Sequence, residues 1–324
     1  MYKVVSLFAG CGGCDQGIVG DFIFNDKMYG KLPFDLYYAI DIDKKALDTH
    51  KLNFVSSEIK CVDICEIEAS EIPDCDVIIG GFPCQSFSTV NPTKDPFDDR
   101  ANLYKQMVRI VNEKQPLVFI AENVKGLMTL HKGEIFKRIC RAFEDVGYTV
   151  SYKLLNAADF GVPQKRERVI IVGFRNDLGI KYEFPSETNA GKWVPLSVAV
   201  PKLDIEEQKY YFSQKAVEGM KNAKPNMKRG LWQHLDEPCL TVTSHLAKVS
   251  LNSRDPVLLV NPDKELYRRF TPREAARIQS FPDNFEFAGN ETDAYRQIGN
   301  AVPPVLFWHV AKRVADYLEN SDII

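Results

Sequence analysis

Short apolar, β-branched runs recur along residues 1–184, at Lys3–Phe8, Leu36–Ile40, Glu58–Val62, Val77–Gly80, Leu117–Ala121, Thr149–Leu155 and Val169–Gly173. Between them lie stretches such as Leu103–Lys114 and Gly133–Val146, whose apolar residues repeat at helical spacing. This alternation restricts the chain more than any other feature, because parallel strands need a crossover between them and a helix supplies it. It predicts an α/β fold on a doubly wound, mostly parallel sheet. Ligands of such sheets sit outside the carboxyl ends of the strands, so chemistry is sought there.

From Pro185 the rhythm stops. Prolines 185, 195, 201, 225, 238, 256 and 262 interrupt irregular polar sequence with short β-like pieces. The break predicts a larger domain of residues 1–184 plus 290–324, a smaller, irregular β-rich domain at 185–267, and a hinge segment at 268–289 holding a helix over Pro272–Ser280. Apolar residues at helical spacing in Val302–Leu318 predict a final helix that returns to the larger domain. A chain of 324 residues buries an adequate core without disulfides, and its eight cysteines are scattered. With no secretory-type leader and no apolar stretch of about 18 residues, a cytoplasmic, reducing setting and no membrane contact are expected. The CxxC of Cys11 and Cys14 and the CxxxC of Cys61 and Cys65 lack a matching pair or a nearby histidine, so no metal is expected.

A net charge of −3 does not announce a polyanionic partner. Any such surface must be local: Lys165-Arg166-Arg168, Lys224-Lys228-Arg229, or Arg268-Arg269-Arg273-Arg277, each of which reads equally well as solvated surface.

The strand ends hold the candidate chemistry. The first strand opens into FAGCGGCDQG at 8–17, a glycine-rich turn that exposes backbone N–H groups at a helix start; a plain tight turn is the simpler reading. Asp41 and Asp63 end the next two strands and converge on the same crevice. No Walker lysine follows the glycines, so an adenosine ligand with a ribose diol and no triphosphate fits best. The fourth strand delivers Cys84 on a loop, where a thiol is exposed on a rigid mount, although a buried structural cysteine is the plain alternative. The next strand brings Glu122 and Asn123 to the same edge, and Gln164, Arg166 and Arg168 precede another strand.

These blocks together resemble the bacterial cytosine-C5 DNA methyltransferases: SLFAGCGG at 6–13, GGFPCQSFS at 80–88, AENVKG at 121–126, QKRER at 164–168, RRFTPREAARIQSFPD at 268–283 and YRQIGNAVPP at 295–304, in the family's order. Two positions depart from the pattern: Ser6 stands where the family often has Asp, and Arg100-Ala101-Asn102-Leu103-Tyr104 replaces an RGxLF-like block. The resemblance implies transfer of a methyl group from S-adenosylmethionine to C5 of a cytosine flipped out of a short specific sequence of double-stranded DNA. It places Cys84 as the nucleophile at C6 and Glu122 at N3. One of Arg166 and Arg168, preferably Arg168, is placed at O2, and the other braces the loop or a phosphate. It places the cofactor on Phe8, Ala9, Gly10, Cys11, Gly12, Gly13, Asp41, Ile42, Asp63, Ile64, Pro83, Leu103, Asn300, Ala301 and Val302.

Target reading is expected from the smaller domain, whose EPCLTVTSH at 237–245 resembles the family's recognition core with Thr241, Thr243 and Ser244; a strand with surface threonines is the alternative. Further DNA contacts are expected at Gln85, Ser86, Ser88, Arg100, Gln164 and Arg229. The implied setting is a monomer, bacterial or phage-encoded, in the cytoplasm and associated with the nucleoid, with a cognate restriction endonuclease as a partner in purpose and not in contact. The tRNA-methylating relatives share the catalytic blocks but carry a Cys-Phe-Thr element, whereas Cys239 is followed by Leu240. A catalytically silent relative would not keep every reactive position filled. A nicotinamide-dependent oxidoreductase would explain the glycine turn and Asp41 but neither FPCQ nor QKRER.

Overall fold

The computed structural model describes residues 1–83, 103–222, 232–251 and 255–320. Strand β1 (Tyr2–Leu7) leads into α1 (Gly13–Val19), then a hairpin of β2 (Phe22–Phe24) and β3 (Lys27–Tyr29). Next come β4 (Phe34–Asp41), α2 (Lys44–Asn53), β5 (Glu58–Cys61), β6 (Val77–Gly80), α3 (Leu103–Lys114), β7 (Val118–Val124) and α4 (Glu134–Asp145). Strands β8 (Tyr148–Asn156), β9 (Gln164–Lys165) and β10 (Glu167–Arg175) follow.

One seven-stranded sheet has the order β5-β4-β1-β6-β7-β10-β8. Strands β5, β4, β1, β6 and β7 run parallel, and β10 alone is antiparallel to both its neighbours. The order reverses between β1 and β6, so the loops after these two strands open a crevice at the switch point. The hairpin of β2 and β3 interrupts the expected βα rhythm. Its Asn25 and Asp26 sit at φ 48° and 55°, the left-handed pair that a tight turn needs and that these two residue types tolerate.

Apolar side chains cover both faces of the sheet. On one, α3 and α4 contribute Met107, Ile110, Val111, Ile139 and Phe143, all fully buried beside Val5, Ile78 and Ile171. On the other lies α8 (Pro304–Asn320), which follows α7 (Glu291–Asn300). Helix α8 packs on α1 so closely that a Cβ on Gly17 would stand 2.7 Å from the Pro304 carbonyl, so only glycine fits. The Trp308 indole N–H donates to the Gly30 carbonyl at 2.9 Å.

Residues 185–267 are irregular, with helix α5 (Gln214–Lys221), strand β11 (Cys239–Leu240), and β12 (Leu258–Asn261), which pairs with β13 (Leu266–Arg268). Val217, Val249, Leu251, Val257 and Tyr267 form a small core of their own. Strand β11 pairs in parallel with β9, joining this region to the QKRER segment. Helix α6 (Pro272–Ile278) starts on a Thr271 cap that accepts from the Glu274 N–H, while Glu274 reaches back to the Thr271 N–H.

In the basic run at 268–277 every arginine makes internal bonds, and the run works as a structural clamp. Arg268 is fully buried, donates both ends of its fork to Glu274 at 2.7 Å and also holds the Lys202 and Leu203 carbonyls. Arg269 holds the carbonyls of Ala247 and Lys209, Arg273 those of Pro282 and Phe285, and Arg277 pairs with Asp283. Lys224, Lys228 and Arg229 lie outside the described residues.

Candidate active site

A cavity of about 1210 Å³ opens at the switch point, lined by the ends of β1, β4, β6 and β7, the segment after β5, and the junction of α7 with α8. Its floor is the turn after β1. Phe8 (φ 56°) and Gly10 (φ 57°) take left-handed backbone there; for Phe8 this is a strained conformation that the surrounding turn must impose. The Gly10 N–H donates to Asp41 Oδ2 and the Asp43 N–H to Asp41 Oδ1, both at 2.8 Å, so two backbone donors orient one carboxylate. Partial burial pushes the Asp41 carboxyl above its ordinary value, with those donors pulling the other way.

Phe8, Ala9, Gly10, Cys11, Gly13, Asp41, Ile42, Asp63, Ile64, Pro83, Leu103, Asn300, Ala301 and Val302 all line this one cavity. Gly12 stands apart: a Cβ on it would stand 2.4 Å from the Phe54 ring, so its bareness makes room for α2. A Cβ on Gly13 would stand 2.4 Å from the Val302 carbonyl, which shows how tightly the glycine turn meets the junction of α7 with α8. Asp63 Oδ1 accepts from the Cys65 N–H at 2.9 Å, and Ile42 stands 68% exposed on the wall. The Cys11 thiol is buried, donates to the Gln297 carbonyl at 3.7 Å and is pushed well above its ordinary value by burial, so it is no nucleophile.

Glu122 and Arg168 meet on the same cavity, with Glu122 Oε1 and Arg168 Nε 2.7 Å apart. They sit on paired strands β7 and β10, and Gly81 leaves room for the carboxylate: its Cβ would lie 3.1 Å from Glu122 Oε2. Asn123, buried beside them, donates from Nδ2 to the Phe82 carbonyl at 2.8 Å and so holds the chain just ahead of Pro83. Cys84, Gln85, Ser86, Ser88, Arg100 and Arg229 lie outside the described residues.

The expectation that Gln164 contacts DNA needs correction, and the two arginines take different places. Arg166, at the border of the cavity, is 2% exposed and donates to the Val242, Gly299 and Ala301 carbonyls, each at 3.0 Å. It takes the bracing role. Gln164 is fully buried, bonded to Gln279 and to the Ile278 carbonyl, and accepts the Val242 N–H, so it is closed to DNA. On the short ladder of β9 with β11, alternate side chains turn inward, and Gln164 is one of them. Thr241 and Thr243 donate their hydroxyl protons internally, to the Lys165 carbonyl and to Asp255, leaving acceptor lone pairs on both. Ser244 is half-buried, with its backbone against Gly299.

The wall also holds residues that the strand pattern did not single out. Gln297 is buried on α7, accepts from the Thr49 hydroxyl at 2.6 Å and donates to the Lys45 and Ala288 carbonyls. Arg296 pairs with Asp43 at 3.0 Å. Helix α7 was legible in principle, because Asn290 followed by Asp293 is a capping box.

A glycine turn, a strand-end carboxylate and an acid–arginine pair thus surround one crevice at the switch point of the sheet. Residues 2–316 match the family described as C-5 cytosine-specific DNA methylase. The chain belongs to that family. Among its relatives, Type II methyltransferase M.BsuRI of Bacillus subtilis is 36% identical over 365 aligned residues, covering 98% of this chain and 81% of its own. Type II methyltransferase M.MthTI of Methanothermobacter thermautotrophicus is 36% identical, with 98% of each chain covered.

Solved structures share the fold. A putative DNA modification methyltransferase encoded within a prophage of E. coli superposes at TM-score 0.74 with 24% identity, over 99% of this chain and 100% of that one. A Spodoptera frugiperda DNMT2 mutant superposes at 0.75 with 18% identity, over 97% and 99%. The protein is an S-adenosylmethionine-dependent DNA (cytosine-5) methyltransferase. Among the described residues no helix is long and apolar enough to cross a membrane.

Proposed function

We propose that Cys84 is the nucleophile, that Glu122 and Arg168 hold the target base, and that the glycine turn, Asp41 and the junction of α7 with α8 hold the cofactor. The Glu122–Arg168 pair carries this reading, because it sets an acid and a fixed cation 2.7 Å apart on the cavity that Asp41 also lines.

The cavity suits the cofactor. A carboxylate already oriented by two N–H groups retains lone pairs for a ribose diol, and no atom stands within 4 Å of where a Gly10 Cβ would be, leaving open space over the turn. Ile42 offers an apolar face for adenine, with Asp63 and Ile64 at its edge. The volume of about 1210 Å³ exceeds the roughly 300–1,000 Å³ typical of a single small-ligand pocket and leaves room for a flipped base as well. When bound, S-adenosylmethionine supplies the electrophilic methyl group.

Cytosine C5 is too poor a nucleophile to take that methyl unaided. The Cys84 thiolate adds to C6, and the displaced charge moves toward N3, where Glu122 supplies a proton and accepts from the exocyclic amine. Arg168 donates to O2 and keeps Glu122 aimed. Once C5 is methylated, it loses its proton to water, and β-elimination restores the C5–C6 double bond and expels the thiolate, while Glu122 takes back the N3 proton. The base must leave the stack to reach these groups, at a cost of a few kcal/mol.

In this reading residues 1–184 and 290–324 carry out the chemistry, 185–267 read a short target, and 268–289 form the hinge. The protein acts as a monomer on double-stranded DNA in the cytoplasm, protecting sites that a cognate restriction endonuclease would cut.

The test is trapping. A duplex with 5-fluorocytosine at the target blocks the final elimination, so the protein is expected to form a denaturant-resistant adduct, dependent on S-adenosylmethionine, that maps to Cys84. Cys84→Ala should form none while still binding DNA, since phosphate contacts do not need the sulfur. Trapping through another cysteine, or none at an established target, would overturn the assignment.

A further inference from the structure

Arg166 is where three segments remote in sequence meet. Its Nη1 donates to the Val242 carbonyl, and its Nη2 donates to the carbonyls of Gly299 and Ala301. The Ala301 carbonyl also accepts from Gln279 Nε2 at 2.9 Å, and the same amide holds the Ile298 carbonyl at 2.7 Å. Gln279 Oε1 accepts from Gln164 at 2.6 Å, and Gln164 Oε1 accepts the Val242 N–H at 2.9 Å.

Val242 is therefore gripped at its N–H and its carbonyl by neighbouring side chains of QKRER, and both side chains lead on to the junction of α7 with α8. Backbone contact adds to the grip: a Cβ on Gly299 would stand 2.2 Å from the Thr243 carbonyl carbon. Gln164 and Gln279 are fully buried and Arg166 nearly so, so water does not compete, and a lost bond leaves an unsatisfied buried group. Gly299, Ala301 and Arg166 line the cofactor cavity, whereas no residue of 239–246 does.

We propose that Arg166 is a positioning residue that couples the cofactor cavity to the segment 239–246. A ligand that fixes Asn300–Val302 also fixes Thr241–Ser244. Conversely, DNA that grips Thr241–Ser244 tightens the hold on the cofactor, and the factor is the same in both directions because linkage is reciprocal. The second half rests on the reading of 241–244 as the recognition core; the first does not.

Amide hydrogen exchange on the full-length protein, with S-adenosylhomocysteine and no DNA, tests the first half. Exchange should slow at 239–246 as well as along the glycine turn, and more than at the edge strand β8. Arg166→Lys keeps the charge but not the fork, and should keep protection at the glycine turn while losing it at 239–246. Protection confined to cavity-lining segments in the wild type, or full protection of 239–246 in Arg166→Lys, would overturn the coupling. Should Arg166→Lys fail to fold, Gly299→Ala displaces Thr243 with every bonding side chain retained and is expected to lose the same protection.

Affinity for S-adenosylhomocysteine, measured with and without a duplex carrying the methylated motif, tests the second half. The duplex should tighten binding by about 5-fold or more in the wild type and by less than about 2-fold in Arg166→Lys. If exchange behaves as expected but the duplex changes nothing, the DNA half falls together with the recognition reading beneath it, and the physical coupling stands.

Discussion

Asp41 shows how little needs to be built at a strand end. Two backbone N–H groups hold its carboxylate, which lines the cavity with lone pairs to spare. Asp41→Ala is expected to weaken binding of S-adenosylhomocysteine by about 1–3 kcal/mol, the loss of a charge-assisted acceptor. Calorimetric titration checks it, and an unchanged affinity removes Asp41 from the site. Residues of this kind were legible because the alternation implies parallel strands, whose carboxyl ends fall on one edge of the sheet. Arg166 and Arg168 were not separable by the same logic. They stand two apart, so the chain pattern treats them alike. What divides them is that Arg166 finds carbonyls at Val242, Gly299 and Ala301, whose positions depend on the whole tertiary fold, while Arg168 finds Glu122 on the neighbouring strand.

At the scale of elements, α8 closes the sheet's second face and carries a titratable group into the core. His309 is 9% exposed among Tyr29, Phe160 and Trp308, with Nε2 buried and unbonded among the described residues. Burial, with Lys27 and Lys312 adding, pushes its pKa from 6.5 to about 4. Between these values the unfolded chain binds a proton that the folded one does not, so stability rises with pH. The contribution is complete above about 6.5 and is lost as pH falls toward 4; the gap corresponds to about 3 kcal/mol. Denaturant unfolding across that range should show the wild type losing about this much more than His309→Leu, and parallel curves would exclude the histidine as the source. The amphipathic stretch of α8 was readable from its spacing. Its histidine was not distinguishable from a surface one, because that depends on which face meets the hairpin of β2 and β3.

For the whole molecule, residues 185–267 meet the rest of the chain through buried side chains such as Leu196, Cys239, Val242, Leu246 and Leu258, and also through their main chain. Arg166 takes the Val242 carbonyl, Gln164 the Val242 N–H, β9 pairs with β11, and Gly299 meets the backbone at Thr243 and Ser244. Main-chain groups do not depend on which side chains the segment carries, so under the proposed division of labour these contacts survive changes at the exposed positions of 185–267 that would read bases. The groups assigned to bond making lie outside that region. Exchanging 185–267 for the same region of a relative with a different target should therefore alter the methylated sequence while retaining cytosine-C5 chemistry, with base contacts and chemistry residing in separate parts of the chain. Bisulfite sequencing of DNA from cells expressing the hybrid reads both at once, and circular dichroism on the purified hybrid establishes that it is folded. A folded, active hybrid that kept the original target would show that sequence is read elsewhere and would dissolve the proposed division of labour. A hybrid that took the donor's target only when its 239–246 segment came with it would place the reading on the segment that Arg166 holds.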